Sequence, residues 1–176
     1  MSTVARGTAY EHACLALLRS WLKMDIYRTG GALDQGRDLC GWWSPHAIGE
    51  PRAHERIRVI AQCKAESRAL GPSVVREMEG TLLRATWEAT TTATVGVLAS
   101  PSGFSKQAKV YMRSSRLPLL FLHLAPQDQE PLVCQGFLWN DALANGPLHG
   151  RFKPVWVTTP QHTQQLTLYR DGIRAI

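Results

Sequence analysis

Two short apolar runs, Ala93–Ala99 and Leu117–Leu124, flank a stretch of helical character, and this arrangement constrains the fold more than anything else in the chain. Strands buried on both faces read as near-continuous apolar runs, and parallel neighbours need a crossover between them, usually a helix. Lys106–Ser115, with Ser105 placed to cap it, has the length and pattern of that crossover. The runs therefore predict a parallel pair. Upstream, Arg56–Lys64 is the clearest strand: Ile57, Val59, Ala61 and Cys63 face one way, and Arg58, Ile60, Gln62 and Lys64 the other. Arg37–Trp43 and Ile26–Arg28 read as further strands. Helices are expected over Ala9–Lys23, where Tyr10, Cys14, Leu17, Leu18 and Trp21 recur at helical spacing, and over Pro72–Glu88, where Val75, Met78 and Leu82 form a stripe. A meander followed by alternating helices and strands gives an α/β fold, a mixed β-sheet flanked by helices. Beyond Pro126 only Leu132–Trp139, Val155–Thr158 and Leu166–Tyr169 look like strands. The expectation is one domain over residues 1–176, with a core at about 4–125 and a C-terminal appendage over about 126–176.

The 176 residues suffice to bury a core without disulfides or a structural metal. Hydrophobic residues make up 44%, too many for a disordered chain, and no apolar run reaches the roughly 18 residues of a membrane span. A soluble protein with no membrane partner is expected. Net charge is +6, carried by 15 Arg and only five Lys, a balance that tilts towards a polyanionic partner. Cys14, Cys40, Cys63 and Cys134 form no Cys-x-x-Cys pair, and Cys40, His46, His54 and Cys63 match no short zinc motif, so buried thiols are expected. The N-terminal MSTVARGTAYEH has neither an apolar signal core nor a long Arg/Ser-rich transit segment. Either the protein is not targeted in this way or the chain is a processed or trimmed form.

Asp34 to Lys64 carries the candidate chemistry. Asp38 sits early in one strand, Gln62 and Lys64 share a face near the end of another, and a single loop joins the two. Paired as a hairpin, the strands bring the three side chains to one sheet end. A carboxylate, an amide oxygen and an ammonium make a phosphate-hydrolysing set: the oxygens hold a hard cation and the lysine offsets charge. The alternative is that Gln62 and Lys64 form the solvent face of a half-buried strand.

Glu11 falls beside the apolar stripe of the first helix, where a carboxylate needs a partner such as a metal; Thr8-Ala-Tyr-Glu11 is equally a capping-box pattern. Asp34 suits turn support, and Glu66 is either near the metal or solvated. Cys63 alternates with core residues and is read as a core thiol. The loop Ser44–Glu55 and its edges mix Trp42, Trp43, His46, Arg52, His54, Arg56 and Arg58, a combination that suits phosphates and bases. Ser102, Lys106, Lys109 and Arg113 offer a second phosphate surface at a helix N-terminus.

GGALDQGRDLCG followed by RIRVIAQCK resembles the PD-(D/E)XK nuclease superfamily, in particular its Mrr-type restriction endonuclease branch. Within that branch the chain is most similar to fungal mitochondrial proteins named for being required for respiratory growth. The resemblance runs from Gly7 and Glu11 through TVGVLASPSGFSKQAKVYM to the strand at Leu119 and leaves the tail uncovered. It implies a restriction-endonuclease-like fold and hydrolysis of DNA phosphodiester bonds with Mg²⁺ or Mn²⁺, leaving 5′-phosphate and 3′-hydroxyl ends. Asp38 would bind the metal, Gln62 would replace the usual acidic ligand, Lys64 would be the catalytic lysine, and Glu11 would reach the metal from the first helix. Arg37 departs from the eponymous proline, and neutral Gln62 removes one negative charge.

Arg52, Arg56, Arg58, Trp43, Ser102, Lys106 and Lys109 would contact nucleic acid. The implied setting is mitochondrial, with DNA as partner, RNA offering the same phosphate chemistry, and a homodimer suited to cutting both strands. Two rivals stand beside this reading: a nucleic-acid-binding module of the same fold with weakened catalysis, and an interaction protein whose basic face docks an acidic partner.

Overall fold

A computed structural model describes residues 2–29, 36–45, 56–88, 93–127, 130–160 and 164–175. The main sheet has six strands in the order β1 (Asp25–Arg28), β2 (Leu39–Trp43), β3 (Ile57–Cys63), β4 (Thr94–Ser100), β5 (Leu119–Gln127) and β6 (Glu130–Trp139). The β3–β4 and β4–β5 pairs are parallel and the other three antiparallel. The two apolar runs are thus parallel neighbours, as expected.

Helices α2 (Pro72–Glu88) and α3 (Lys106–Ser114) make the two crossovers and cover one face. There Met78 and Leu82 pack so tightly that a Cβ at Gly96 of β4 would lie 2.8 Å from Met78 and 2.9 Å from Leu82. Helix α1 (Thr3–Trp21) covers the other face through Tyr10, Cys14 and Leu18, and the Tyr10 hydroxyl donates to the Leu124 carbonyl at 3.0 Å. With cover on both sides, every residue of β4 is buried, which explains its continuous apolar run.

Helix α1 begins six residues before the expected Ala9. Ser2 is its N-cap, its hydroxyl accepting from the Ala5 amide at 3.2 Å. The added turns carry no apolar stripe, and Val4 is 79% exposed, so periodicity registered only the part that packs. The expected boundary near Pro126 also moves. β6 pairs with β5 as the sixth strand of the main sheet, so the core continues to Trp139. The strand itself is the one expected at Leu132–Trp139; its pairing with β5 is what local pattern does not report. Beyond it, α4 (Asp141–Asn145) precedes a small antiparallel sheet of β7 (Phe152–Thr158), β8 (Gln164–Arg170) and β9 (Ile173–Arg174). Phe152 and Leu168 join the α1-side core, and the Trp21 indole N–H donates to the Leu166 carbonyl at 3.2 Å. Among the described residues no helix is long and apolar enough to cross a membrane.

Candidate active site

The β2–β3 hairpin does what the spacing predicts. Leu39, the first residue of β2, faces Ala61, and Asp38 immediately before it lies against the Ala61–Cys63 end of β3. The Asp38 backbone is pinned on both sides: its N–H donates to the Ala61 carbonyl at 3.0 Å, and its carbonyl accepts from the Thr29 amide at 3.0 Å. Its side chain is fixed as well, because Oδ2 accepts from the Cys63 amide at 2.6 Å. The Lys64 amide donates to the Ala99 carbonyl of β4 at 2.9 Å, so the lysine stays in the ladder. The three groups sit at the carboxyl ends of the parallel strands, where open α/β sheets place their ligand crevices.

Gln62 is 5% exposed, which removes the reading of a solvated strand face. Its Oε1 is buried and accepts no hydrogen bond from the described residues. Gly36 approaches the amide from the turn before β2. With φ of +77° it takes a conformation that favours glycine, and a Cβ there would lie 2.7 Å from Gln62 Nε2. Asp34, in the preceding turn, lies outside the described residues.

Lys64 Nζ lies 3.3 Å from the Glu77 carboxylate of α2. Helical periodicity could not single out Glu77, because it marks only the buried stripe. Thr81, one turn on, donates its hydroxyl to the Glu77 carbonyl at 3.0 Å, and its Oγ1 lies 3.8 Å from the Cβ position at Gly36. Helix α2 thus covers the site from its own face of the sheet, reaching from Lys64 to the turn before β2.

Glu11 reaches the same sheet end from the α1 face. Its carboxylate is 16% exposed and lies 2.6 Å from Arg28 Nε at the end of β1. Since the helix starts at Thr3, Glu11 is no capping-box residue; its partner is Arg28. The Cys63 thiol is held well above its ordinary value of 9.0, first by a hydrogen bond with Cys14, then by burial, with the charges of Cys14, Asp38 and Glu11 adding to it. It is the core thiol expected. Glu66 is exposed, and its carbonyl accepts from the Ser102 hydroxyl at 2.7 Å, tying the β4–α3 turn to the end of β3.

The basic loop expected beside the site is displaced. An antiparallel hairpin puts its connecting loop at the opposite end from Asp38 and Lys64, so Arg56 lies about 20 Å along β3 from Gln62. Arg56 stacks 4.8 Å from the Trp42 ring centre and lies 3.7 Å from Asp25, while Arg58 donates to the Ala85 carbonyl at 3.2 Å. Trp43 is 1% exposed, its indole N–H donating to the Leu22 carbonyl at 3.0 Å, so it is a core residue with no surface to offer a base. Arg52, His46 and His54 lie outside the described residues. Ser102, Lys106 and Lys109, in contrast, stand at the site's own end, because β4 runs parallel to β3 and its carboxyl end leads into them.

Among the described residues no group of three His, Cys, Asp and Glu side chains could hold a metal ion. The available donors are the Asp38 carboxylate and the unpartnered Gln62 Oε1. Two hard oxygens suit Mg²⁺ or Mn²⁺ with water and phosphate completing the shell, since Mg²⁺ keeps several waters and takes only one or two carboxylates.

The geometry defines a class: a mixed α/β domain with a carboxylate, a buried amide oxygen and a lysine gathered at the carboxyl ends of its parallel strands. The family described as "Required for respiratory growth protein 7" matches residues 2–54 and 46–153, and the chain belongs to it. An uncharacterised mitochondrial protein of Schizosaccharomyces pombe is 31% identical across 83% of this chain and 55% of its own length. The mitochondrial "Required for respiratory growth protein 7" of Saccharomyces cerevisiae is 26% identical across 70% of this chain and 66% of its own. The chain therefore spans between half and two thirds of these relatives. Their names carry the mitochondrial location that the sequence resemblance implies. No solved structure matches the chain.

Proposed function

We propose that the chain is a metal-dependent deoxyribonuclease of the PD-(D/E)XK type, working in the mitochondrion and cutting DNA internally. The observation that carries the reading is the buried Gln62 Oε1, without a hydrogen-bond partner among the described residues, beside the Asp38 carboxylate. A buried acceptor left unmet costs about 1–3 kcal/mol, and a cation shared with Asp38 removes that cost. Mg²⁺ or Mn²⁺ bound there would supply a Lewis acid for water and phosphate. Asp38 and Gln62 would hold it, the Asp38 carboxylate itself being fixed by the Cys63 amide. Lys64 presents its ammonium to the charge that builds on the phosphate, and Glu77 holds that ammonium over the site. Glu11, locked to Arg28, adds negative charge from the α1 face.

The same Asp38–Cys63 bond supports a second reading, because it gives the carboxylate a structural duty independent of catalysis. On that reading the chain is a nucleic-acid-binding module. Incubation with circular DNA and Mg²⁺ or Mn²⁺ separates the two: nicked or linear products support the nuclease, and a mobility shift without cutting supports the module. Asp38→Asn, which keeps an oxygen for the Cys63 amide, and Lys64→Ala should each abolish cutting in a folded protein. Cutting at the parent rate by either variant removes the site assignment.

A further inference from the structure

We propose that the groove between α3 and the β5–β6 pair is a second phosphate seat, holding the same nucleic-acid strand that reaches Lys64; the inference rests on the phosphate chemistry proposed for that site. The groove has a volume of about 450 Å³ and is lined by Ser102, Lys109, Arg113, His123 and Gln135 around Phe121. Lys109 and Arg113 are exposed and make no ion pair among the described residues, unlike Lys64, Arg28, Arg56 and Arg151, which all face carboxylates. Their charge is available to a ligand. Helix α3 has no acidic residue in its first turn, so the positive end of its dipole reinforces the Ser102–Lys109 end of the groove, while Arg113 stands in its last turn.

The floor is built to hold an imidazole. His123 Nε2 lies 3.0 Å from the Pro101 carbonyl, which fixes the ring. A Cβ at Gly103 would lie 3.3 Å from the ring, and one at Gly136 would lie 3.2 Å from His123 Cβ. Glycine on both sides leaves the space that the imidazole occupies. Behind it Phe104 and Phe121 stack with ring centres 4.0 Å apart, giving an apolar base beneath the cations.

Register ties this groove to the candidate active site. Lys64 bonds to Ala99, and the next residue of β4, Ser100, faces His123. Phe121 belongs to the core on the α2–α3 face together with Ile60, so His123 and Gln62, each two residues further along its strand, share that face. Two strand spacings separate β3 from β5, about 10 Å. With one phosphate per 3.4 Å of rise along a stacked strand, that distance spans about three phosphates. A single strand crossing the carboxyl ends of β3, β4 and β5 therefore meets Lys64 and then Lys109, and continues down the groove along α3 to Arg113 in that helix's last turn.

The test is equilibrium binding of a fluorescein-labelled DNA oligonucleotide in EDTA, followed by anisotropy across a salt series, which reads the seat without chemistry. The whole chain carrying Lys109→Glu and Arg113→Glu should bind at least about tenfold more weakly, with the salt slope reduced by about two. Lys153→Glu with Arg174→Glu, on β7 and β9, makes the same change in net charge away from the groove and should stay within about twofold of the parent. Thermal unfolding of each variant at the parent temperature verifies the fold. Affinity and slope unchanged in the groove variant overturn the seat, and so does an equal loss in the control pair, which would make the effect one of bulk charge. A groove-specific loss in a protein that cuts no DNA supports the seat and removes the nuclease reading instead.

Discussion

At the scale of single residues, the chemistry turns on Gln62, whose Oε1 is buried with no hydrogen bond from the described residues. Gln62→Glu places a carboxylate at the same point. Without a cation that charge is buried beside Asp38, so in EDTA the variant should unfold about 1–3 kcal/mol below the parent. Added Mg²⁺ or Mn²⁺ should recover more stability in the variant than in the parent, because a ligand that binds only the folded state stabilises it in proportion to its affinity. Thermal unfolding with and without metal reads both effects; identical, metal-insensitive transitions in the two proteins would place Oε1 outside any metal site. Asp38, Gln62 and Lys64 were legible because two consecutive strands that pair as a hairpin bring the start of one and the end of the other to the same sheet end. Glu77 was not, because its meeting with Lys64 depends on how α2 is rotated. The Glu11–Arg28 pair joins a helix to a strand 17 residues away in sequence, which no periodicity reports. Trp43 was misassigned because an aromatic among arginines looks alike whether it points into the core or out of it.

Between elements, Asn140 makes the connections that pattern reading passed over. It is 2% exposed, and its amide nitrogen donates to the carbonyls of Met112, Ser115 and Leu117 at 3.2, 3.2 and 2.8 Å. Its oxygen accepts from the amides of Leu119 and Leu143 at 3.0 and 3.1 Å. One side chain thus closes the end of α3, sets the start of β5 and caps α4. Asn140→Ala leaves several of these buried groups without partners and should cost roughly 3–5 kcal/mol, seen as a lower urea midpoint at an unchanged slope. A loss below about 1 kcal/mol would mean that water replaces the amide. Nothing in the local sequence distinguishes this Asn from a surface turn residue, since its partners come from three separate segments. The strands and helices themselves were easier to read. Both apolar runs and α2 follow from burial on fixed faces, and Ser105 caps α3 as expected, accepting from the Ala108 amide at 3.1 Å. The strand expected at Leu132–Trp139 is β6, placed in the main sheet rather than in an appendage, while the exposed first turns of α1 and the short α4 and β9 carry too little apolar pattern to be read.

For the molecule as a whole, the six-stranded sheet is polarised. Its Asp38–Lys64 end carries the candidate site and the α3 groove, while Trp42 and Arg56 occupy the other, and a core on each face holds the two ends in fixed relation. That double burial also sets how the fold responds to alkali. Burial pushes the Cys134 thiol up to about 12 and raises Cys40 and the Tyr10 hydroxyl; Cys63 is raised by its hydrogen bond with Cys14 and by burial. All four are acids that the folded protein keeps protonated beyond the pH at which the unfolded chain releases them. The folded state then binds more protons than the unfolded one, so stability falls as pH rises. For Cys134 the contribution is complete below the ordinary thiol value of 9.0 and is lost progressively as pH climbs from there through about 12. Urea unfolding in reducing buffer should therefore give a level free energy from about pH 7 to about pH 8.5 and a steady decline above about pH 9. Cys134→Ala removes one of these protons, and its decline above about pH 9 should be shallower than the parent's, whatever the substitution costs at neutral pH. Parallel curves for parent and variant through about pH 11 would show that the Cys134 thiol ionises as freely in the fold as in the open chain.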